Sequence, residues 1–276
     1  MSRLSSLFQV LRREKRRAVI PYIVAGDPTP EGTVPLLQKL VDAGADILEL
    51  GVPFSDPMSE GPVIQKGHER ALANGISLQR VLEFVSEFRR ENYNTPIVLM
   101  GYVNPIERFG YRAFAAACSD VGVDGLITVD LPPEEVDTMD TVLKEVNLDN
   151  IFLISPTTPE RRIQKIADRA SGFIYYVSVK GVTGAGHLDT REVAERIRII
   201  RSKSDLPVAV GFGIKDPDSA KEVAEVADAV VIGSALIDAM ATISTVNGSV
   251  SSETQRHAAA VKLLQDIRNG VDSLPS

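Results

Sequence analysis

The chain has 276 residues, of which 44% are hydrophobic and 24% charged, a composition that fits a soluble globular protein with a large core. Its formal charge of −7 leaves no face-wide basic excess to neutralise phosphates, which excludes nucleic acid as an expected partner. Cys118 is the only cysteine, so no internal disulfide can form; the three histidines, His68, His187 and His257, have no metal-ligand spacing, and no metal is expected.

The N-terminal run MSRLSSLFQVLRREKRR is too charged, and its apolar stretch too short, for a signal peptide or membrane span, so a cytoplasmic protein is the expectation. Leu4, Leu7, Phe8 and Leu11 recur at helical spacing. Arg12, Arg13, Lys15, Arg16 and Arg17 follow near the helix end, where positive charge complements the macrodipole, and they read as a solvated face. From Ala18 onward short apolar runs alternate with longer amphipathic ones. The predicted strands are Ala18 to Val24, Ile47 to Leu50, Pro96 to Met100, Gly125 to Thr128, Ile151 to Ile154, Phe173 to Val177, Pro207 to Val210 and Ala229 to Ile232. Between them lie helical patterns over Glu31 to Asp42, Leu78 to Arg90, Tyr111 to Asp120, Pro133 to Val146, Glu160 to Ala170, Asp189 to Arg201 and Asp216 to Glu225, with a last one within Glu253 to Arg268.

Such alternation implies parallel strands joined by crossovers, and near-continuous Val, Ile and Leu implies burial on both faces. The economical answer is an α/β fold, a (β/α)8 TIM barrel with an N-terminal helix and extra helical insertions, in one domain spanning residues 1–276. A doubly wound open sheet is the alternative, against which no strand-turn-helix carries GxGxxG. Two pieces decorate the repeat: an additional short helix over Val63 to Ala73, with His68 on its surface, and a Ser-, Thr- and Gly-rich loop from Ser244 to Gln255.

Barrel chemistry sits at the C-terminal ends of the strands, and that rule sorts the polar residues. Glu49 lies at the end of the second strand among Ile47, Leu48 and Leu50. Loss of hydration there raises a carboxyl pKa towards neutrality and suits it to proton transfer, although such a Glu also serves as an Arg partner or backbone cap. The loop that follows is bent by Gly51, Pro53, Pro57, Gly61 and Pro62 and carries Glu60 near its far end. Tyr102 and Asn104 follow the third strand, Asp130 the fourth, and Tyr175 lies in the sixth. Glycine turns follow the last three strands: Gly181 to Gly186, Gly211 to Gly213, and Gly233 with Ser234. Their N–H groups at helix starts can hold an anion without a lysine, which lets an acidic protein bind a phosphate. The first of these turns is long and small enough to be a lid, with Thr183 placed to bond a loop carboxylate on closing.

The run from Leu48 to Gln65, LELGVPFSDPMSEGPVIQ, with IPYIVAGDP before it and MGYVNPI, DLPPEE, YYVSVKGVTGAG and VGFGI after it, closely resembles the tryptophan synthase α subunit over nearly the whole chain. The resemblance implies a lyase that cleaves indole-3-glycerol phosphate to indole and glyceraldehyde 3-phosphate by a retro-aldol reaction. It implies Glu49 as the proton shuttle, Glu60 beside the indole N–H, and Tyr175 as an aid to the relay. Tyr22, Met100, Ile127 and Leu153 fall where the family lines the indole pocket, and Gly184, Gly213, Gly233 and Ser234 where it binds phosphate. Pro53, Asp56, Pro57, Asn104 and Pro132 fall in its contact surface for a β subunit, in an α2β2 assembly. Pyridoxal phosphate is expected in that partner, and no cofactor in this chain. At Glu60 the chain departs from the family's usual Asp; the added methylene moves the carboxylate by about 1.5 Å unless the loop adjusts. Two rival readings remain: another phosphate-binding barrel, such as a sugar-phosphate epimerase or isomerase, and a docking module that activates the β subunit with little cleavage of its own.

Overall fold

A computed structural model describes residues 2–178, 190–211, 213–242 and 252–274. In chain order these form α1 (Arg3–Glu14), β1 (Ala18–Val24), α2 (Thr33–Asp42), β2 (Leu48–Gly51), α3 (Pro62–Ala73), α4 (Leu78–Arg89), β3 (Ile97–Gly101), α5 (Val103–Phe109), α6 (Tyr111–Val121) and β4 (Gly125–Thr128). They continue with α7 (Asp137–Glu145), β5 (Asp149–Ile154), α8 (Glu160–Ala167), β6 (Ile174–Val177), α9 (Thr190–Arg201), β7 (Val208–Gly211), α10 (Pro217–Ala224), β8 (Ala229–Ile232), α11 (Ser234–Thr242) and α12 (Glu253–Asp272). All neighbouring strands are parallel and β8 pairs with β1, closing a (β/α)8 barrel.

Strand alternation divides the core in two. Ile20, Ile47, Val98, Ile127, Ile151, Phe173, Ala209 and Val231 fill the barrel interior. Their sequence neighbours, among them Val19, Leu48, Leu99, Leu126 and Val230, face outward and pack under the helices. Both faces are therefore apolar, which is why the strands read as nearly unbroken hydrophobic runs. The floor of the barrel is α1. Ser2 caps it by accepting the Ser5 N–H at 3.2 Å, and its buried stripe of Leu4, Phe8 and Leu11 joins the interior cluster, with the Phe8 ring 5.9 Å from that of Phe173.

Three aspartates fasten the same end. Asp46, Asp124 and Asp228 each stand just before or at the foot of an even-numbered strand and accept a backbone N–H from the preceding strand, at Val19, Ile97 and Val208, over 2.8 to 2.9 Å. Arg268 meets Asp46 at 2.9 Å and Arg89 meets Asp124 at 2.8 Å, so these two carboxylates are charge-paired as well as hydrogen-bonded.

The predicted elements all recur, with shifted ends. The seventh helix begins at Asp137 rather than Pro133, because the prolines 132 and 133 are used in a turn in which Glu135 N–H bonds Pro132 O at 3.0 Å. The last helix runs on to Asp272, through Gly270, where a Cβ would lie 2.9 Å from the carbonyl oxygen of Pro217; the glycine permits close helix packing and does not end the helix. Two short helices, α5 and α11, add to the predicted set. Much of the predicted Ser244–Gln255 loop lies outside the described residues.

Candidate active site

A cavity of about 790 Å³ opens at the C-terminal end of the barrel, where β1, β2, β3, β5 and β6 present Tyr22, Glu49, Met100, Leu153 and Tyr175. Tyr22 and Glu49 are direct neighbours across the β1–β2 ladder and both point inward. Glycines make room for the aromatic rings. A Cβ at Gly51 would collide with the Tyr22 hydroxyl, and one at Gly211 with the Tyr175 hydroxyl, so the two glycines let two phenols enter the barrel.

Glu49 is 1% exposed, and neither carboxyl oxygen has a hydrogen-bond partner among the described residues. Burial first, and the charge of Glu60 second, push its pKa up from 4.5 to about 8. A carboxyl group is thus held largely protonated at neutral pH, facing a cavity, with its donor and acceptor capacity unused. The Tyr175 hydroxyl is pushed well above its ordinary value by burial and then by Glu49.

Glu60 is held differently. It stands just before α3, in the loop after β2, and its Oε2 accepts a hydrogen bond from the Tyr102 hydroxyl. That hydroxyl in turn accepts the Ser59 N–H at 3.3 Å, and the Tyr102 ring stacks on Phe54 with centroids 4.8 Å apart. Gln65 Nε2 ties the Glu60 carbonyl at 2.9 Å. Burial raises the Glu60 pKa, but the Tyr102 hydrogen bond and the N–H groups of Glu60 and Ser59 oppose the rise. The two carboxyl groups therefore occupy contrasting environments, one dry and unpartnered, the other clamped.

Across the cavity Gly213, Gly233 and Ser234 line the wall, and α11 starts at Ser234, so its first N–H groups face this end of the barrel. Among the described residues no group of three or more His, Cys, Asp or Glu is arranged to hold a metal ion, and no helix is long and apolar enough to cross a membrane.

The sequence profile of the tryptophan synthase alpha chain matches residues 8–269. The chain belongs to the tryptophan synthase alpha chain family. It is 57% identical to the alpha chain of Thioalkalivibrio sulfidiphilus over 241 residues, 87% of this chain and 91% of that one. It is 52% identical to the alpha chain of Thiobacillus denitrificans over 273 residues, covering 99% of this chain and 97% of its relative. The crystal structure of tryptophan synthase subunit alpha from Legionella pneumophila superposes with a TM-score of 0.89 at 43% identity, over 99% of this chain and 100% of that chain. The family is a carbon-carbon lyase family of tryptophan biosynthesis that cleaves indole-3-glycerol phosphate and works with a β subunit.

Of the residues singled out from the sequence, Tyr22, Glu49, Glu60, Met100, Leu153, Tyr175, Gly213, Gly233 and Ser234 meet at this one cavity. Ile127 does not line it; it is fully buried one layer below, in the barrel interior. Thr183 and Gly184 lie outside the described residues, with the rest of the predicted lid. Of the expected contact surface, Asp56 and Asn104 are exposed, Pro132 is half-buried, and Pro53 and Pro57 are buried. Met58, between Pro57 and Glu60, is 77% exposed.

His68 is a correction. It is not on a surface but 2% exposed, with Nδ1 accepting the Phe54 N–H at 3.0 Å and Nε2 at 3.3 Å from the Tyr22 hydroxyl. The buried face of α3 is Ile64, Gly67, His68 and Ala71, a clear helical stripe whose apolar character is hidden by its two small residues. That spacing was the available signal. Tyr102 was placed after the third strand without a role, and nothing local in the sequence announces its bond to Glu60, since the two are 42 residues apart.

Proposed function

We propose that Glu49 carries the proton in cleavage of indole-3-glycerol phosphate, and that Glu60, positioned by Tyr102, accepts the indole N–H. The observation that carries this reading is the unpartnered Glu49 carboxyl group facing the cavity. Protonated at neutral pH, it gives its proton to the indole C3, and the positive charge that forms on the ring N–H is balanced by the Glu60 carboxylate. Glu49, now a carboxylate, takes the proton of the adjacent glyceryl hydroxyl. The O–H electron pair becomes the aldehyde C=O, the carbon-carbon pair returns to the ring, and indole and glyceraldehyde 3-phosphate separate with Glu49 reprotonated. Tyr175, beside Glu49, assists the transfer.

Met100 and Leu153 supply apolar wall for the indole ring, with the phosphate at the start of α11 and at Gly213. Glu60 in place of Asp is accommodated because Tyr102 and Gln65 hold the lengthened side chain and its loop. Asp56, Met58 and Asn104 form the exposed rim on which a β subunit docks to receive indole, in an α2β2 assembly in the cytoplasm. Pyridoxal phosphate belongs to that partner, as the resemblance implies.

Indole release, measured with and without an added tryptophan synthase β subunit, tests the reading. The unmodified chain should release indole and do so faster with β, while Glu49→Gln should be folded and inactive. An active Glu49→Gln chain would overturn the assignment.

A further inference from the structure

Tyr22 and His68 form a buried pair that the reaction scheme above leaves unused. The bond from the Phe54 N–H to Nδ1 settles the imidazole tautomer: Nδ1 is the acceptor, so the ring proton sits on Nε2 and points at the Tyr22 oxygen. Burial pushes the His68 pKa down to about 4, so the ring stays neutral in this tautomer across the physiological range. With its oxygen accepting from His68, the Tyr22 hydroxyl has its own proton left to donate.

The barrel sets the position of that hydroxyl. Tyr22 is paired with Glu49 across the ladder, its hydroxyl leans over Gly51 one inward position above Glu49, and its ring lines the cavity. Burial first, and then the charges of Glu60 and Glu49, push its pKa well above the ordinary value. Tyr22 thus stands beside the proton carrier and lines the same cavity.

We propose that the Tyr22 hydroxyl donates a hydrogen bond to the substrate hydroxyl that Glu49 deprotonates, and that His68 fixes its direction. This rests on the reading of Glu49 as proton carrier. As Glu49 removes the hydroxyl proton, negative charge grows on that oxygen before the carbon-carbon bond has fully parted. A pre-aimed donor stabilises this charge and stays protonated throughout, because the phenol is far less acidic in this site than in water. Tyr22 is then a catalytic residue and His68 a positioning residue.

Steady-state indole release by Tyr22→Phe, His68→Leu, His68→Gln and the Tyr22→Phe/His68→Leu double variant tests this. Tyr22→Phe should lower kcat by about tenfold to a hundredfold, with KM changed by less than about threefold. It should leave unchanged the affinity for an indolylpropyl phosphate that lacks the glyceryl hydroxyls. His68→Leu should lower kcat by a smaller factor, His68→Gln should recover part of the loss by restoring an N–H donor, and the double variant should be no slower than Tyr22→Phe alone. A Tyr22→Phe chain with unaltered kcat, an equal loss of affinity for the hydroxyl-free analogue, or additive effects in the double variant would each overturn the proposal. Failure of the underlying reading shows separately, as activity in Glu49→Gln.

Discussion

Replacing Glu49 by Gln removes a titratable group from the driest part of the cavity while keeping its shape, so it should change stability in a pH-dependent way. The folded-state pKa of Glu49 is raised from 4.5 to about 8. A group whose pKa is raised by folding contributes its full share of stability below the unfolded value and loses it as the pH climbs through the folded one. Each pH unit in that window costs about 1.4 kcal/mol, which amounts to about 3 kcal/mol at pH 7 and about 5 kcal/mol once the group is fully ionised. Gln bears no such cost, and as a neutral side chain of the same length it resembles the protonated acid. The variant should therefore match the parent near pH 4.5, be more stable by about 3 kcal/mol at pH 7, and pull further ahead towards pH 9. Urea unfolding of both chains at pH 5, 7 and 8.5, with midpoints converted through the common m-value, measures the difference directly. A stability gap that stays constant across that range would show that Glu49 is not desolvated as the structure places it, and would remove the basis for its protonated resting state.

Other perturbations address separate parts of the molecule. Tyr102→Phe deletes the donor that opposes the burial of Glu60, so the Glu60 pKa should rise and the acid limb of the kcat/KM profile for indole release should move to higher pH; an unmoved limb would separate Glu60 from the reaction. Arg89→Ala strips Asp124 of its buried partner and should cost about 3–5 kcal/mol in denaturant unfolding, whereas a loss under about 1 kcal/mol would mean that Arg3 and the Ile97 N–H suffice. Phe8→Ala opens the barrel floor and should cost about 3–5 kcal/mol with kcat unchanged, because the floor and the cavity lie at opposite ends of the strands; a lower kcat in the folded variant would show that the two ends communicate.

What the sequence disclosed and what it withheld divide along physical lines. The strands were legible because burial on both faces turns each into a short apolar run, and Glu49 stood out as the one charge in such a run. The meeting of Tyr22, Glu49, Met100, Leu153 and Tyr175 followed from the barrel itself, since inward positions near the strand ends must face one cavity. Ile127 shows the resolution of that logic: its strand and inward direction were right, yet it sits one layer lower, a matter of barrel stagger that no local pattern encodes. Helix α5 was invisible because its seven residues present a single buried side chain, Ile106, too little for a periodicity to show. The polarity of His68 points to the surface while its helical spacing points inward, and the Tyr102 to Glu60 bond joins two loops distant in the chain, which no local pattern encodes.

The contrast between the two glutamates accounts for the chemistry better than either does alone. A single buried carboxyl group can donate a proton or accept one, but the cleavage also needs a fixed negative charge at the ring nitrogen while the proton moves. Two carboxyl groups in similar surroundings could not divide those tasks, since each would disfavour the ionisation of the other. Here the division is made by hydrogen bonds. Glu60 receives the Tyr102 hydroxyl and backbone N–H groups, which favour its charged form, while Glu49 receives none and is kept protonated by dryness and by the charge of its neighbour. The clamp on Glu60 thus acts at a distance on Glu49, because an ionised Glu60 is one of the two causes of the raised Glu49 pKa. Loosening that clamp should weaken both halves of the device together, leaving Glu60 less charged and Glu49 more acidic.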